Sequence, residues 1–179
     1  MNSSHSKTSL FLMEIIIAIL FFSLASAVCL RLFAAAHIMS DQDKNLNNAI
    51  LWSQNLSESF YGSGGHLLKI KNLYPTAYLA EEDTESDGTI ILFFDQDWYP
   101  IDSSLSGAAY EAMLIIRKDL ADNVYADVKD KEASLKGNAI TGKIAILDIR
   151  NRSEKYMELP EDGSDVLFEN SVDVYVGED

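Results

Sequence analysis

A single carboxylate, Glu14, sits in the otherwise apolar run Leu10 to Ala36, LFLMEIIIAILFFSLASAVCLRLFAAA. An ionised carboxylate inside a bilayer costs several kcal/mol unless it is paired, so an acid in such a run marks a functional or assembly contact. At 100° per residue, Glu14, Ala18, Ala25, Cys29 and Ala36 fall within about 60° of one another. Phe11, Phe22 and Phe33 lie together beside that stripe. A stripe of small residues lets helix backbones approach closely in lipid. The chemistry expected of this segment is therefore helix–helix association, with Glu14 as a charge that asks for a partner.

The other candidate groups point to less. Glu81-Glu82-Asp83-Thr84-Glu85-Ser86-Asp87-Gly88 is dense in carboxylates. It lacks the alternating ligand spacing and closing glutamate of a calcium-binding EF-hand loop, and reads as a solvated loop. Asp95 and Asp97 flank a turn, where aspartate is favoured for its backbone hydrogen bonds. His5, His37 and His66 are scattered, and Cys29 is the only cysteine, so neither a disulfide within the chain nor a zinc cluster is expected. Cys29 reads as a small packing residue. No phosphate-binding loop, nucleophile elbow, zinc-protease helix or dinucleotide fingerprint is present. Nothing in the residue pattern calls for an enzyme, a metal or a cofactor.

Three kinds of element must hold these residues. About 20 apolar residues at 1.5 Å each cross the hydrocarbon of a bilayer, and Leu10 to Ala36 exceeds that. The leader Met1 to Ser9 carries one base, Lys7. From the residues alone, leader and run read either as a single-pass anchor or as a secretory signal cut after Ala25-Ser26-Ala27. Glu14 and the apolar residues Val28 to Phe33 beyond that cut count against the signal. A lipoprotein signal is excluded, because Val28 precedes Cys29 where a small residue is needed. Arg31, at the outer end of the run, is placed to reach the headgroups along its aliphatic stem.

No Gly or Pro intervenes between Leu10 and Tyr61, so the helix is expected to continue past the membrane, for about 78 Å in all. Ile38, Leu46, Ala49, Leu56 and Phe60 share one face, which predicts that residues 37–61 pack on a domain. Gly62-Ser63-Gly64-Gly65 stops the helix. Residues 62–179 read as strands and turns. Ala77–Ala80, Thr89–Phe94, Trp98–Ile101, Tyr110–Arg117, Val124–Val128, Lys143–Arg150, Tyr156–Leu159 and Val166–Val176 are the expected strands. Leu67–Ile70 is too short for its period to assign. Trp52 and Trp98 are expected to be packing aromatics. The fold class is thus α+β, a long N-terminal helix followed by an antiparallel sheet domain.

The chain has 14 Lys and Arg against 28 Asp and Glu. Lys7, Arg31 and Glu14 are the charged residues up to Ala36, so the remainder carries 12 bases and 27 acids, a formal −15. Such a surface repels phosphate backbones, and direct binding of nucleic acid is not expected.

Leu10-Phe11-Leu12-Met13-Glu14, followed by Ile15-Ile16-Ile17-Ala18, resembles the start of mature type IV pilins and type II secretion pseudopilins. The resemblance covers the helix, roughly a quarter of the chain. It implies a cut between Ser9 and Leu10 by a prepilin peptidase and an N-methylated Leu10. It also implies that Glu14 is the position-five glutamate, which pairs with the terminal amine of a neighbouring subunit. Ser9 stands where that family has glycine. The function implied is that of a minor pilin-like subunit, anchored in the cell membrane with its domain outside, whose partners are other pilin-like subunits and the lipid bilayer. The alternatives left by the residues are a single-pass surface protein whose domain binds a ligand or cation, and a secreted domain.

Overall fold

The computed structural model describes residues 3–84, 87–102, 107–127, 135–152, 158–160, 163 and 165–178, with side chains described from Ser9 onward and not for 81–84. The chain divides into two compact units, Met1–Lys44 and Asn45–Asp179. Helix α1, Ser3–Ser63, supplies all the described structure of the first unit and the opening of the second. Its sequence is free of Pro, and its first Gly is Gly62. Its end is set by backbone chemistry. Gly64 and Gly65 adopt φ of 64° and 75°, and their N–H groups return to the carbonyls of Tyr61 (3.1 Å) and Phe60 (2.9 Å). Left-handed glycines that take up the last helical carbonyls are the usual way to end a helix. A side chain at Gly65 would also run into Ile140.

In the second unit a short helix α2, Leu67–Leu73, buries Leu67 and Ile70. The strands are β1 Tyr78–Thr84, β2 Asp87–Phe94, β3 Pro100–Ile101, β4 Tyr110–Leu120, β5 Asn138–Asp148 and β6 Val166–Gly177, with a single-turn helix α3, Ala121–Val124, after β4. They form one six-stranded sheet in the order β1-β2-β4-β5-β6, with β3 also on β2. Every pairing is antiparallel.

The sheet is apolar on both faces. Ile90, Leu92 and Phe94 of β2, Ala112, Leu114 and Ile116 of β4, and Ile140, Ile144 and Ile146 of β5 form one core with Ala49, Leu56 and Phe60 of α1. The alternate residues Ile91, Phe93, Met113 and Leu147 form a second, smaller core with Ile149. Period-two alternation places successive side chains on opposite faces, which is why one strand feeds both cores. Gly142 of β5 is required here by space. A Cβ at that position would lie 2.8 Å from Val172 and 3.1 Å from the Phe60 ring, so the glycine is the socket for the helix.

The α+β order follows the sequence expectation, and several boundaries differ from it. Helix α1 begins at Ser3, before the expected start at Leu10, so the Ser9–Leu10 bond lies inside helix. Leu67–Ile70 belongs to a helix. Of the acidic stretch Glu81–Gly88, expected as a loop, residues 81–84 belong to β1 and 87–88 to β2, and residues 85 and 86 lie outside the described residues. Backbone pairing with β2, Glu82 to Gly88 and Thr84 to Asp87, overrides the low strand propensity of acidic residues. Val124 ends helix α3 instead of starting a strand, and Val128 lies outside the described residues. Of Tyr156–Leu159, residues 156 and 157 lie outside the described residues, and Glu158 and Leu159 are not in strand. Ile38 and Leu46, expected on the packed face, are exposed, whereas Ala49, Leu56 and Phe60 are buried.

Candidate functional site

The first unit is a helix with nothing over its side chains. Leu10, Phe11, Ile16, Phe22, Leu30 and Phe33 are all exposed, Phe22 and Phe33 by 73% and 74%. Among the described residues one helix is long and apolar enough to cross a membrane, and its most apolar stretch has none of its residues buried. Backbone polar groups inside lipid must be satisfied within the segment, and a continuous helix does so. Ser23 follows the same rule, its Oγ donating to the Ile19 carbonyl at 2.7 Å.

Glu14, Ala18, Ala25, Cys29 and Ala36 lie on this helix, all exposed. Helical geometry brings them to one face, and no other element of the described chain covers that face. Ser9 and Leu10 are exposed one turn before Glu14. Past the apolar run, His37 Nδ1 lies 3.6 Å from Asp41 Oδ2 one turn on, both at the surface.

In the second unit the notable assembly is an aromatic seam that fixes α1 to the sheet. Trp52 packs on Phe94 (ring centroids 4.5 Å apart), Phe94 on Trp98 (5.8 Å), and Trp98 stacks on Tyr110 (4.0 Å, 13° between planes). The Trp98 indole N–H donates to Asn45 Oδ1 on α1 at 3.3 Å. Arg150 lies over the outer side of the Tyr110 ring, 5.4 Å from its centre, and is held by Asp148 through a two-point guanidinium–carboxylate contact. Burial pushes the Tyr110 phenol above its ordinary range, against the opposing pull of Arg150.

Trp98 reaches this place through a strained backbone. Its φ is 65°, the only positive value at a described non-glycine residue. A bulky residue in the left-handed region costs of order 1–3 kcal/mol and persists only where its surroundings hold it. The Asp95 turn does the holding: Asp95 Oδ1 accepts from the N–H groups of Asp97 (2.9 Å) and Tyr99 (3.0 Å), and its carbonyl accepts from Trp98 N–H (3.2 Å). The sequence reading found the turn and the packing role of Trp98. It did not single out Asn45, Tyr110 or Arg150, which look in sequence like ordinary surface and strand residues.

A groove of about 680 Å³ opens between the end of α1 and α2, with Trp52, Leu73 and Tyr74 along its apolar side and Asn55, Glu58 and Lys69 at its polar one. Just after α3, Tyr125 donates to Asp173 Oδ2 of β6 at 2.6 Å; burial and the carboxylate push its phenol up to about 12. Among the described residues no group of three or more His, Cys, Asp or Glu is placed to hold a metal ion. The side chains of Glu81 to Asp83 lie outside that statement.

No protein-family model, curated protein or solved structure matches the chain.

Proposed function

We propose that this protein is a membrane-anchored structural subunit of a pilus- or secretion-type filament, of the minor pilin or pseudopilin kind. The observation that carries the reading is Glu14, the one carboxylate in an uncovered apolar helix, on the same face as four small residues. In a lone chain that carboxylate is a liability in lipid. In an assembly it is neutralised by a cation of the next subunit, and the N-terminal amine created by a cut before Leu10 is such a cation.

Two features support the reading. The helix continues in register from its apolar stretch into a stretch whose buried face packs on an antiparallel sheet. The acidic sheet domain, outside the membrane in this reading, presents the subunit's surface to solvent.

The test is Glu14→Ala in the full chain, expressed with the assembly proteins of its own cell. Membrane insertion should be unchanged, since the substitution makes the helix more apolar. Recovery of pilin-like partners with the tagged protein should fall at least tenfold. Unchanged recovery would remove the assembly role of Glu14 and leave a plain single-pass anchor.

A further inference from the structure

Among the described residues the sheet ends on β6, and no described strand pairs with its outer side. Which residues look outward can be read from one bond. The Ser171 N–H donates to the Asn170 side-chain Oδ1 at 2.9 Å, which places it on the side away from β5. Pairing with β5 is regular from Phe168 to Tyr175, so alternation puts the backbone groups of Glu169, Ser171, Asp173 and Tyr175 on that same outer edge. Asn170 caps the middle of the edge, and its Nδ2 is held by Ser57 Oγ of α1 at 3.3 Å.

Native sheets usually blunt such an edge with bulges, prolines or lysines. At the opposite end of this sheet β1 has two register shifts within seven residues, and the β5–β6 ladder has one shift at each end of its regular stretch. From Phe168 to Tyr175, β6 has no register shift, and residues 165–178 contain neither Pro nor Lys.

The same stretch carries Asp165, Glu169, Asp173 and Glu178 and no base. Glu169 is shared with Lys143 of β5 at 2.9 Å and Asp165 with Arg152 at 2.6 Å, while Asp173 accepts from the neutral Tyr125 hydroxyl, so four acids meet two bases and the edge keeps an excess of negative charge. The side chains of Glu169 and Asp173 share one face of the strand with Ser171 and Tyr175. Two copies pairing antiparallel about Ser171 would set Glu169 of each opposite Asp173 of the other, and like charges directly opposite are destabilising. A strand with Lys or Arg at alternate positions would meet the same carboxylates with opposite charge.

We propose that the outer edge of β6, Glu169 to Tyr175, accepts an extended basic segment of another protein as a further strand of the sheet, and refuses a second copy of itself. The incoming carbonyl replaces Asn170 Oδ1 at the Ser171 N–H. Backbone hydrogen bonds supply the affinity, and Glu169 and Asp173 select the charge. This inference stands apart from the role of Glu14 and survives its failure.

The experiment is residue-resolved amide hydrogen exchange on the full chain in zwitterionic detergent, with two eight-residue peptides as probes, one alternating Lys and Thr and one alternating Glu and Thr. The Lys–Thr peptide should slow exchange at Glu169, Ser171, Asp173 and Tyr175 at least tenfold and leave Asn170 and Val172 unchanged. The Glu–Thr peptide should slow none of them. Ser171→Pro removes an outward N–H while sparing the β5 ladder, and should abolish the effect. Should that variant not fold, the double variant Glu169→Lys and Asp173→Lys decides instead, by exchanging the preference to the Glu–Thr peptide. Binding of the Lys–Thr peptide without protection at the four outward amides would show simple attraction to an acidic surface and overturn the proposal. So would protection that rises with protein concentration alone, since that is self-pairing.

Discussion

Helix α1 passes through two environments without changing its backbone, and the contrast between its two stretches separates what makes a helix from what makes a fold. From Leu10 to Ala36 it is apolar all round, and its large side chains are exposed. From Asn45 to Ser63 it is amphipathic, with Ala49, Ser53, Leu56, Phe60 and Ser63 buried at spacings of three and four. Helix propensity and the absence of Gly and Pro account for both. Among the described residues only the second stretch is packed on a complementary surface, the face of the sheet that carries Ile140, Ile144 and Ile146. The first leaves its large apolar side chains exposed, and by length and composition it could span a bilayer.

The sharpest way to break this comparison is to remove a phenyl ring from each stretch. Phe60 is fully buried and lies over Gly142, where β5 was left without a side chain to receive it. Phe60→Ala should destabilise the sheet domain by about 3–5 kcal/mol, the usual cost of deleting a buried aromatic ring with its cavity. Phe33→Ala should leave the domain's thermal transition within about 1 °C, because that ring touches no core. Thermal unfolding in detergent, followed by near-ultraviolet circular dichroism, compares the two. Equal losses would mean that the exposed stretch helps hold the domain, against the division into two units.

A smaller effect is expected where the second stretch begins. Asn45 on α1 accepts the hydrogen bond of the buried Trp98 indole. Asn45→Ala leaves that N–H unpaired beside the stacked Tyr110, at a cost of about 1–3 kcal/mol. Because Trp98 sits in a strained backbone, the variant should also shift its fluorescence to the red as the indole moves toward water. A loss of stability with unchanged Trp98 emission would place the effect in the helix itself and detach Asn45 from the seam.

Much of this comparison was legible in the sequence. The apolar run, the glycines that end α1 and the strands β2, β4, β5 and β6 follow from hydrophobic period and turn chemistry, since each is long and strongly patterned. What escaped depended on partners distant in sequence. Glu81–Thr84 reads as solvated loop, yet its backbone is a strand because β2 lies beside it. Leu46 continues the helical stripe of Ala49 and Leu56, yet the buried face is reached only with Asn45, Ala49 and Trp52 to Ser53. Gly142 lies inside β5, and its missing side chain leaves the space that Phe60 and Val172 occupy. Glu111 sits in the alternating strand YEAMLIIR as though facing solvent, but a second apolar core covers that face of the sheet and buries it. The contacts among Asn45, Trp98, Tyr110 and Arg150 draw on four separate segments, and no local pattern announces them.

The smallest effect concerns two serines, one in each stretch of α1. Ser23, in the exposed stretch, donates to the carbonyl of Ile19 one turn back, which is how a hydroxyl is satisfied in a medium without water. Ser53 is fully buried under the sheet, and its Oγ makes no hydrogen bond among the described residues; it is the neighbouring Ser57 Oγ that takes the Ser53 carbonyl. A buried hydroxyl without a partner carries its desolvation cost uncompensated, and alanine also has the better helix propensity. Ser53→Ala should therefore raise domain stability by about 1 kcal/mol in denaturant unfolding, with an unchanged slope against denaturant. Ser23→Ala should leave the same transition where it was. A destabilised Ser53→Ala would show that the hydroxyl fills space or binds an ordered water at the helix–sheet contact. The packed stretch of α1 would then tolerate a polar group because the contact uses it, whereas the exposed stretch tolerates one because the helix itself satisfies it.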